Sequence, residues 1–389
     1  MQILWIPLIL LLLLLLEQHL YQIYWDRGLQ LRLRFARTSS MQMDEDSASI
    51  QNLCAVTEGE SVYLLEEITN RNFLPFPLLQ IHYQLRNGLT FDGQIKAVST
   101  DRTMLTDIFS LGFYEKITRP VLIREGRRGY YHIMQAQVNT DDLFHFRHYM
   151  CDSDQGTMLY VYPKLLTGES VEIPFRHILG DVTTRQYLYE DPFTFRGIRE
   201  YRPGDPERSV NWKASARSGD LQVNVYDHTA GQEVMILLNL EDPAILYNSE
   251  LLENGIRLAH TYASRLMERQ IATGLTTNGL DCIHKTPLRL NAGSTMQHQR
   301  AFAEALSRID TSLRPEGFAQ QLHDLALEAD HAQTTYVLIS SAAGDLLREE
   351  ASHLADTAHG LFWICPQTAD MQDVTVQERG ITFLPILFH

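Results

Sequence analysis

Asp142, His145, His148 and Cys151 fall at intervals of three and carry the side-chain types that hold zinc. Residues three apart on an extended chain point to opposite faces, and the flanking residues read as strand, so convergence on one ion is not expected. Nucleophilic chemistry has no better footing. The tetrapeptide Gly-Glu-Ser-Val occurs at Gly59 to Val62 and again at Gly168 to Val171. Neither copy has the second glycine of a serine-hydrolase elbow, so each is expected to be a turn that opens a strand-like segment. The chain contains no Gly-x-x-x-x-Gly-Lys-[Ser/Thr], no Gly-x-Gly-x-x-Gly and no His-Glu-x-x-His. Cradling of ATP phosphates in the P-loop manner is thereby excluded, and ATP-driven work has to come from a partner.

The most distinctive run is Phe195 to Arg217, Phe-Arg-Gly-Ile-Arg-Glu-Tyr-Arg-Pro-Gly-Asp-Pro-Glu-Arg-Ser-Val-Asn-Trp-Lys-Ala-Ser-Ala-Arg. Pro203-Gly204 suits a tight turn, Pro fixing φ and Gly accepting a positive φ. Asp205 and Arg208 can pair across the next turn, Trp212 is a large anchor, and Ala214 and Ala216 admit close backbone approach. Leu221, Val223 and Val225 alternate as a strand. Seven basic residues from Arg185 to Arg217 face five acidic ones, a locally basic patch on an acidic protein.

This run resembles the signature of the bacterial and archaeal family called domain of unknown function 58. Gly197, Arg199, Tyr201, Pro203, Gly204, Asp205, Arg208, Trp212, Lys213, Ser215, Ala216 and Arg217 match its pattern. The likeness extends over about residues 28–389, through Glu58-Gly59-Glu60, Leu74-Pro75-Phe76-Pro77, Arg128-Gly129-Tyr130-Tyr131 and Val161-Tyr162-Pro163. It implies a von Willebrand factor type A-like carboxy-terminal half, an amino-terminal membrane segment, and genes beside those for MoxR-type AAA+ ATPases that assemble or remodel other proteins. The family's own activity is not established. Tyr201, Trp212 and the two alanines are expected to lock the junction between domains. The other reading gives Arg199, Arg208, Lys213 and Arg217 to a partner's carboxylates, which arginine forks suit.

The type A-like fold often holds Mg²⁺ through Asp-x-Ser-x-Ser after its first strand. Here the matching stretch is Asn239-Leu240-Glu241-Asp242-Pro243, and a second loop offers Ser340, Ser341 and Asp345. Hard oxygen donors are present, but asparagine stands for the aspartate and the order is degenerate. The expectation is a capping loop, no cofactor and no catalytic residue.

The elements that carry these residues follow from composition and periodicity. The chain has 389 residues, 44% hydrophobic and 21% charged, which favours folded units over disorder. Its net charge of -15 argues against nucleic acid as a partner. From residue 301 onward, 4 Arg and no Lys stand against 13 Asp plus Glu. The four cysteines share no paired spacing, so free thiols in a reducing compartment are expected.

Ile3 to Leu16 is apolar, and the segment revives at Leu20, Tyr21, Ile23, Tyr24 and Trp25 after Glu17, Gln18 and His19. Counted through to Trp25 it is expected to be a transmembrane helix, with Tyr and Trp as the interfacial belt. Arg27, Arg32, Arg34 and Arg37 come after it. By the positive-inside rule this predicts a single-pass inner-membrane protein with its bulk in the cytoplasm.

Residues 28–175 alternate with period two, as in Leu29, Leu31, Leu33 and Phe35, and predict an immunoglobulin-like β-sandwich. Residues 176–232 hold the signature. Residues 233–389 begin with the apolar run Val234 to Leu240 and alternate strands with amphipathic helices at Leu252 to Leu266, Phe318 to Ala329 and Leu346 to Leu354. That order predicts a doubly wound α/β sheet. The functional expectation is a non-enzymatic, membrane-tethered adaptor acting with a MoxR-type AAA+ ATPase. A metal-dependent hydrolase using the strand-end loops and a structural envelope component are the alternatives.

Overall fold

The computed structural model describes residues 5–37, 53–92, 95–98, 102–188, 195–202, 207–226, 233–242, 248–315, 317–328, 334–358, 360–368 and 376–388. The chain forms two compact units, Met1–Pro163 and Lys164–His389.

The first unit opens with helix α1, Trp5–Tyr24. No helix among the described residues is long and apolar enough to cross a membrane, which corrects the expectation of a transmembrane anchor. The physical reason lies in the second half of the helix. The uninterrupted apolar part of the helix, Trp5 to Leu16, is 12 residues, about 18 Å at 1.5 Å per residue, against a hydrocarbon core of about 30 Å. Beyond Leu16 the helix is committed to protein. Glu17 accepts from the Leu143 N–H at 3.1 Å and Gln22 accepts from Arg147 at 3.0 Å. Tyr21 and Trp25, expected to form an interfacial belt, are buried in the unit's core against Phe76 and Tyr149. Of the arginines expected to act as topogenic charges, Arg32 and Arg34 are residues of the first strand (Leu29–Ala36), Arg27 lies in the turn before it and Arg37 directly after it. Arg34 pairs with Glu67 at 3.0 Å, and Arg37 donates to the Ala55 carbonyl. The single-pass inner-membrane placement falls with the span on which it rested.

Two sheets share that core. One has the order β1 (Leu29–Ala36), β3 (Val62–Asn70), β8 (Lys116–Gly126), β5 (Leu89–Phe91), antiparallel throughout. The other runs β2 (Leu53–Thr57), β10 (His148–Tyr162), β9 (Gly129–Asp141), β4 (Phe76–Arg86), β7 (Arg102–Leu111), β6 (Ile95–Val98). It is antiparallel except where β2 lies parallel to β10. Alternate residues face inward, as period two requires: Leu33, Leu64, Ile68 and Ile123 from one sheet meet Leu79, Ile81, Ile133 and Leu159 from the other.

The second unit begins with helix α2, Glu169–Leu188. The strand expected after Gly168 is not there; Val171, Phe175, Ile178 and Val182 instead form one helical stripe, buried in the core of this unit. Phe175 stacks on Tyr262, with ring centres 5.8 Å apart. The repeated Gly-Glu-Ser-Val shares only its turn: Gly59 and Gly168 both take positive φ, 92° and 125°.

Next come β11 (Phe195–Glu200), a 3-10 turn (Glu207–Ser209), α3 (Trp212–Ser218) and β12 (Gln222–Tyr226). The α/β part continues as β13 (Glu233–Leu238), α4 (Ser249–Glu268), β14 (Ala272–Leu280), β15 (Pro287–Gly293), α5 (Met296–Arg308), α6 (Phe318–Leu327), β16 (Thr334–Ile339), α7 (Asp345–Thr357), β17 (Leu361–Thr368) and β18 (Ile381–Phe388). Its sheet has the order β15-β14-β13-β16-β17-β18, parallel except for β15. Numbered within the sheet this is 3-2-1-4-5-6, the doubly wound order that reverses direction between β13 and β16. Helix α4 lies against one face, and α6 and α7 pack together on residues of the other. Both faces of β13 and β16 are therefore covered, which is why those strands are apolar runs rather than alternations.

Candidate functional site

In an open α/β sheet the place to look is the crevice at the strands' carboxyl ends where the order reverses. Asn239 follows β13 and Ser340 follows β16, so both stand at that crevice. The structure joins them: the Asn239 amide donates to Ser340 Oγ at 3.0 Å and, more weakly, to Glu241 Oε2 at 3.4 Å. Asn239 Oδ1 accepts from the Glu241 N–H at 3.0 Å and from Asn278 Nδ2 at 2.9 Å. Asn278 Oδ1 in turn accepts from the Leu240 N–H at 2.9 Å. Ser340 Oγ donates to the Ala342 carbonyl at 2.7 Å.

Three of the sequence-predicted oxygen donors thus come together, and the rest do not. Asp242 turns to its own loop and accepts from the Asn248 N–H at 2.6 Å. Asp345 opens α7. Ser341 Oγ is buried and lacks a hydrogen-bond partner among the described residues. Glu241 Oε1 accepts from the Phe318 N–H at 2.9 Å, which caps the first turn of α6. Pro243 lies outside the described residues.

Asn239 is only 2% exposed, and the space it shares with Gly255, Ser340 and Ser341 has no room for a water molecule. The residues therefore do not fit a divalent cation. A cation wants oxygen lone pairs pointing inward; here the Asn239 NH₂ fills the centre and spends its two hydrogens on the same Ser and Glu oxygens. Among the described residues no group of three or more His, Cys, Asp or Glu side chains could hold a metal ion. Asn278 escaped sequence reasoning. Its approach to Asn239 depends on β14 lying beside β13.

The zinc-like set is also rearranged. Residues 142–147 turn between β9 and β10, and both histidines come to Asp141 rather than Asp142. His145 Nδ1 lies 2.9 Å from Asp141 Oδ2, His148 Nδ1 lies against Oδ1, and the pair holds the Asp141 carboxyl below the usual carboxylate range. Asp142 accepts from the Phe146 N–H at 2.7 Å, and Cys151 lies farther along β10.

Within the second unit the signature run builds a small sheet of its own. Strands β11 and β12 pair antiparallel as a two-stranded ribbon, Arg199 opposite Val223 and Glu200 opposite Gln222. Helix α3 closes on it: Asn211 caps the helix by accepting from the Ala214 N–H at 2.9 Å, and Ser215 Oγ accepts from the Gln222 N–H at 2.8 Å. Gly219 ends α3 at φ 83°, a left-handed cap that glycine adopts without strain. No residue of α3 is buried. Trp212 is 71% exposed, and Ile198 and Leu221 stand out beside polar neighbours. Lys213 and Arg217 are exposed on α3 and Arg199 on β11; Tyr201 is half-buried and its N–H donates to the Leu221 carbonyl at 2.8 Å. Asn211 and Ser215, small polar residues, hold α3 to the ribbon while the indole of Trp212 faces solvent. Arg208 lies in the 3-10 turn; Pro203, Gly204 and Asp205, with the pairing expected of Asp205, lie outside the described residues.

That ribbon is where the chain meets a known family. Protein of unknown function DUF58 matches residues 197–271. The match starts at Gly197 in β11 and ends just short of β14, so it takes in the ribbon, β13 and α4. The uncharacterized protein YeaD of Bacillus subtilis (strain 168) is 21% identical over 242 residues, 62% of this chain and 56% of that protein. The alignment thus spans a little over half the length of that relative. Among solved structures, the SpRpn10 VWA domain aligns at 13% identity over 40% of this chain and 88% of that one, with a TM-score of 0.26. A non-cellulosomal cohesin from the archaeon Archaeoglobus fulgidus aligns at 8% identity over 38% of this chain and 96% of that one, with a TM-score of 0.21. Scores of this size carry no argument, and the fold rests on the strand order itself.

Proposed function

We propose that this chain is a non-enzymatic adaptor that presents the signature ribbon to a protein partner, by family resemblance a MoxR-type AAA+ ATPase engaged in assembling or remodelling other proteins. The observation that carries the reading is the exposure of Trp212. An indole that contributes nothing to its own helix's packing is costly to leave in water, and Trp and Arg are the residues on which binding energy concentrates at interfaces. Lys213 and Arg217 on the same helix and Arg199 on β11 are exposed cations suited to carboxylates on a partner. The chain's lack of a P-loop assigns the energy source to that partner. The type A-like part of the reading is supported by the 3-2-1-4-5-6 order with an antiparallel third strand. The hydrolase alternative loses ground at Asn239, whose amide occupies the position an activating cation needs.

The test is co-purification of the full chain from its native host after mild crosslinking, beside the Trp212→Ala and Arg199→Glu/Arg217→Glu variants. A stoichiometric AAA+ ATPase that is retained by the parent and lost from both variants supports the reading. An ATPase retained by all three moves the contact away from the ribbon, and the absence of any ATPase refutes the adaptor.

A further inference from the structure

The second unit carries two exposed surfaces of opposite charge. One is the outward side of α3, where Trp212, Lys213, Ala216 and Arg217 are exposed while Ala214 and Ser215 are half-buried. Among the described residues, none from β11, α3 or β12 belongs to either hydrophobic core of this unit, so the ribbon's outward side takes no part in the chain's own packing. Lys213 and Arg217 form no ion pair among the described residues. Six Arg and Lys stand against three Asp and Glu over residues 195–202 and 207–226.

The other surface is α7. Asp345, Glu349 and Asp356 are exposed there at spacings of four and seven, which stacks them on one side of the helix. None of the three forms an ion pair among the described residues, whereas Glu350, nearer the interior, meets His323 at 3.1 Å. Leu346, next to Asp345 in sequence, is 72% exposed. The helix belongs to a segment, residues 301–389, whose formal charge is -9.

The two surfaces match in charge and in spacing. Lys213 and Arg217 are four residues apart on α3, and Asp345 and Glu349 are four apart on α7, so each pair is separated by about 6 Å along its helix. Each surface also sets one large apolar side chain beside its charges, Trp212 on one and Leu346 on the other. Both stand open in the same copy, so the match is satisfied between copies. We propose that the outward side of α3 in one copy docks on α7 of a second copy. Lys213 and Arg217 meet the carboxylates of Asp345 and Glu349, and the Trp212 indole covers Leu346. The contact joins two different surfaces, so it is head-to-tail and either closes into a ring or continues as a chain of copies. The inference rests on the reading of the ribbon as a protein-binding surface and adds its regulation: a ribbon seated on α7 is withheld from the ATPase.

The experiment needs no ATPase. Sedimentation of the purified full chain is followed over a range of concentrations, at about 50 mM and about 500 mM salt. The parent is expected to self-associate at the lower salt and more weakly at the higher. Lys213→Glu/Arg217→Glu and Asp345→Lys/Glu349→Lys should each self-associate at least about tenfold more weakly, because like charges then face each other, at unchanged melting temperature. An equimolar mixture of the two variants restores opposite charges at both contacts and should associate as the parent does. A parent that stays single at every concentration, association unchanged in both variants (the result if the leucines of α1 drive it), or a mixture no stronger than its components would each overturn the proposal. Absence of the ATPase from the co-purification would instead refute the partner reading and leave the sedimentation result standing.

Discussion

The Asn239 amide reaches Ser340 Oγ at 3.0 Å across the gap between two neighbouring parallel strands, at the point where the sheet reverses its order. The bond ties the end of β13 to the end of β16 without charge. A carboxylate there would face Glu241 with nothing between them, and burying a second unpaired charge is costly. The Asn239→Asp chain is therefore expected to melt several degrees below the parent in the absence of divalent ions. Because the substitution restores the carboxylate of an Asp-x-Ser-x-Ser start, Mg²⁺ at millimolar levels should recover part of the loss, while the parent should not respond. Thermal melts of both chains with and without Mg²⁺ check this, and a parent whose melting temperature climbs with Mg²⁺ would remove the amide from that role.

Trp212 makes the opposite demand. Being 71% exposed on a helix with no buried residue, it should tolerate Trp212→Ala with a stability change within about 0.5 kcal/mol. Binding to the co-purified partner should fall at least tenfold in the same variant. If the substitution unfolds the ribbon, seen as loss of amide protection in β11 and β12, the indole is a packing residue after all.

The residues that were legible in the sequence are those whose burial follows from local pattern. Val234 to Leu240 could be read as a central strand because both sheet faces are covered there, and the stripe through Leu252, Ile256 and Leu266 could be read as α4 because one face must be apolar. Helix α2 was hidden by Pro174 and Gly180, residues that weaken a helical reading although Val171, Phe175, Ile178 and Val182 keep its period. Tyr21 and Trp25 were misassigned because an amphipathic aromatic serves equally at a membrane interface and at the rim of a β core. Asn278 depended on a contact made far away in sequence, with Asn239, and no spacing rule reports that; Trp212 was misassigned because a large indole is more often a buried anchor than an exposed one.

Phe175 tests the place of α2. It is fully buried, stacks on Tyr262, and has Arg265 and Arg269 over its ring at 5.4 and 5.2 Å. Phe175→Ala is expected to cost about 3–5 kcal/mol. The loss should appear in hydrogen exchange as faster opening of α2 and α4, with the β-sandwich unchanged. Opening of the sandwich to the same degree would mean that the two units unfold as one.

Glu66 supplies a pH dependence confined to the first unit. Its carboxyl is fully buried between the sheets, where it meets Tyr83 Oη at 2.8 Å, Arg119 Nε at 2.9 Å and the carboxyl of Asp107. Burial, reinforced by Asp107 and opposed by Arg119, pushes its pKa up to about 8. In the unfolded chain a glutamate releases its proton near pH 4.5, so between about pH 4.5 and 8 the folded state holds a proton that the unfolded state has lost. Folding is then favoured by acid: the stabilisation is complete below about pH 4.5, declines as pH rises to about 8, and is gone above that. Glu66→Gln mimics the protonated acid at every pH, since its amide oxygen still accepts from Arg119. The variant should match the parent at pH 5 and exceed it at pH 9, by an amount on the order of a few kcal/mol. Hydrogen exchange of the peptides spanning β3 and β7, corrected for the intrinsic pH dependence of exchange, reads the difference locally. Parallel profiles for the two chains from pH 5 to 9 would show that Glu66 is ionised in the fold, with Arg119 outweighing burial and Asp107.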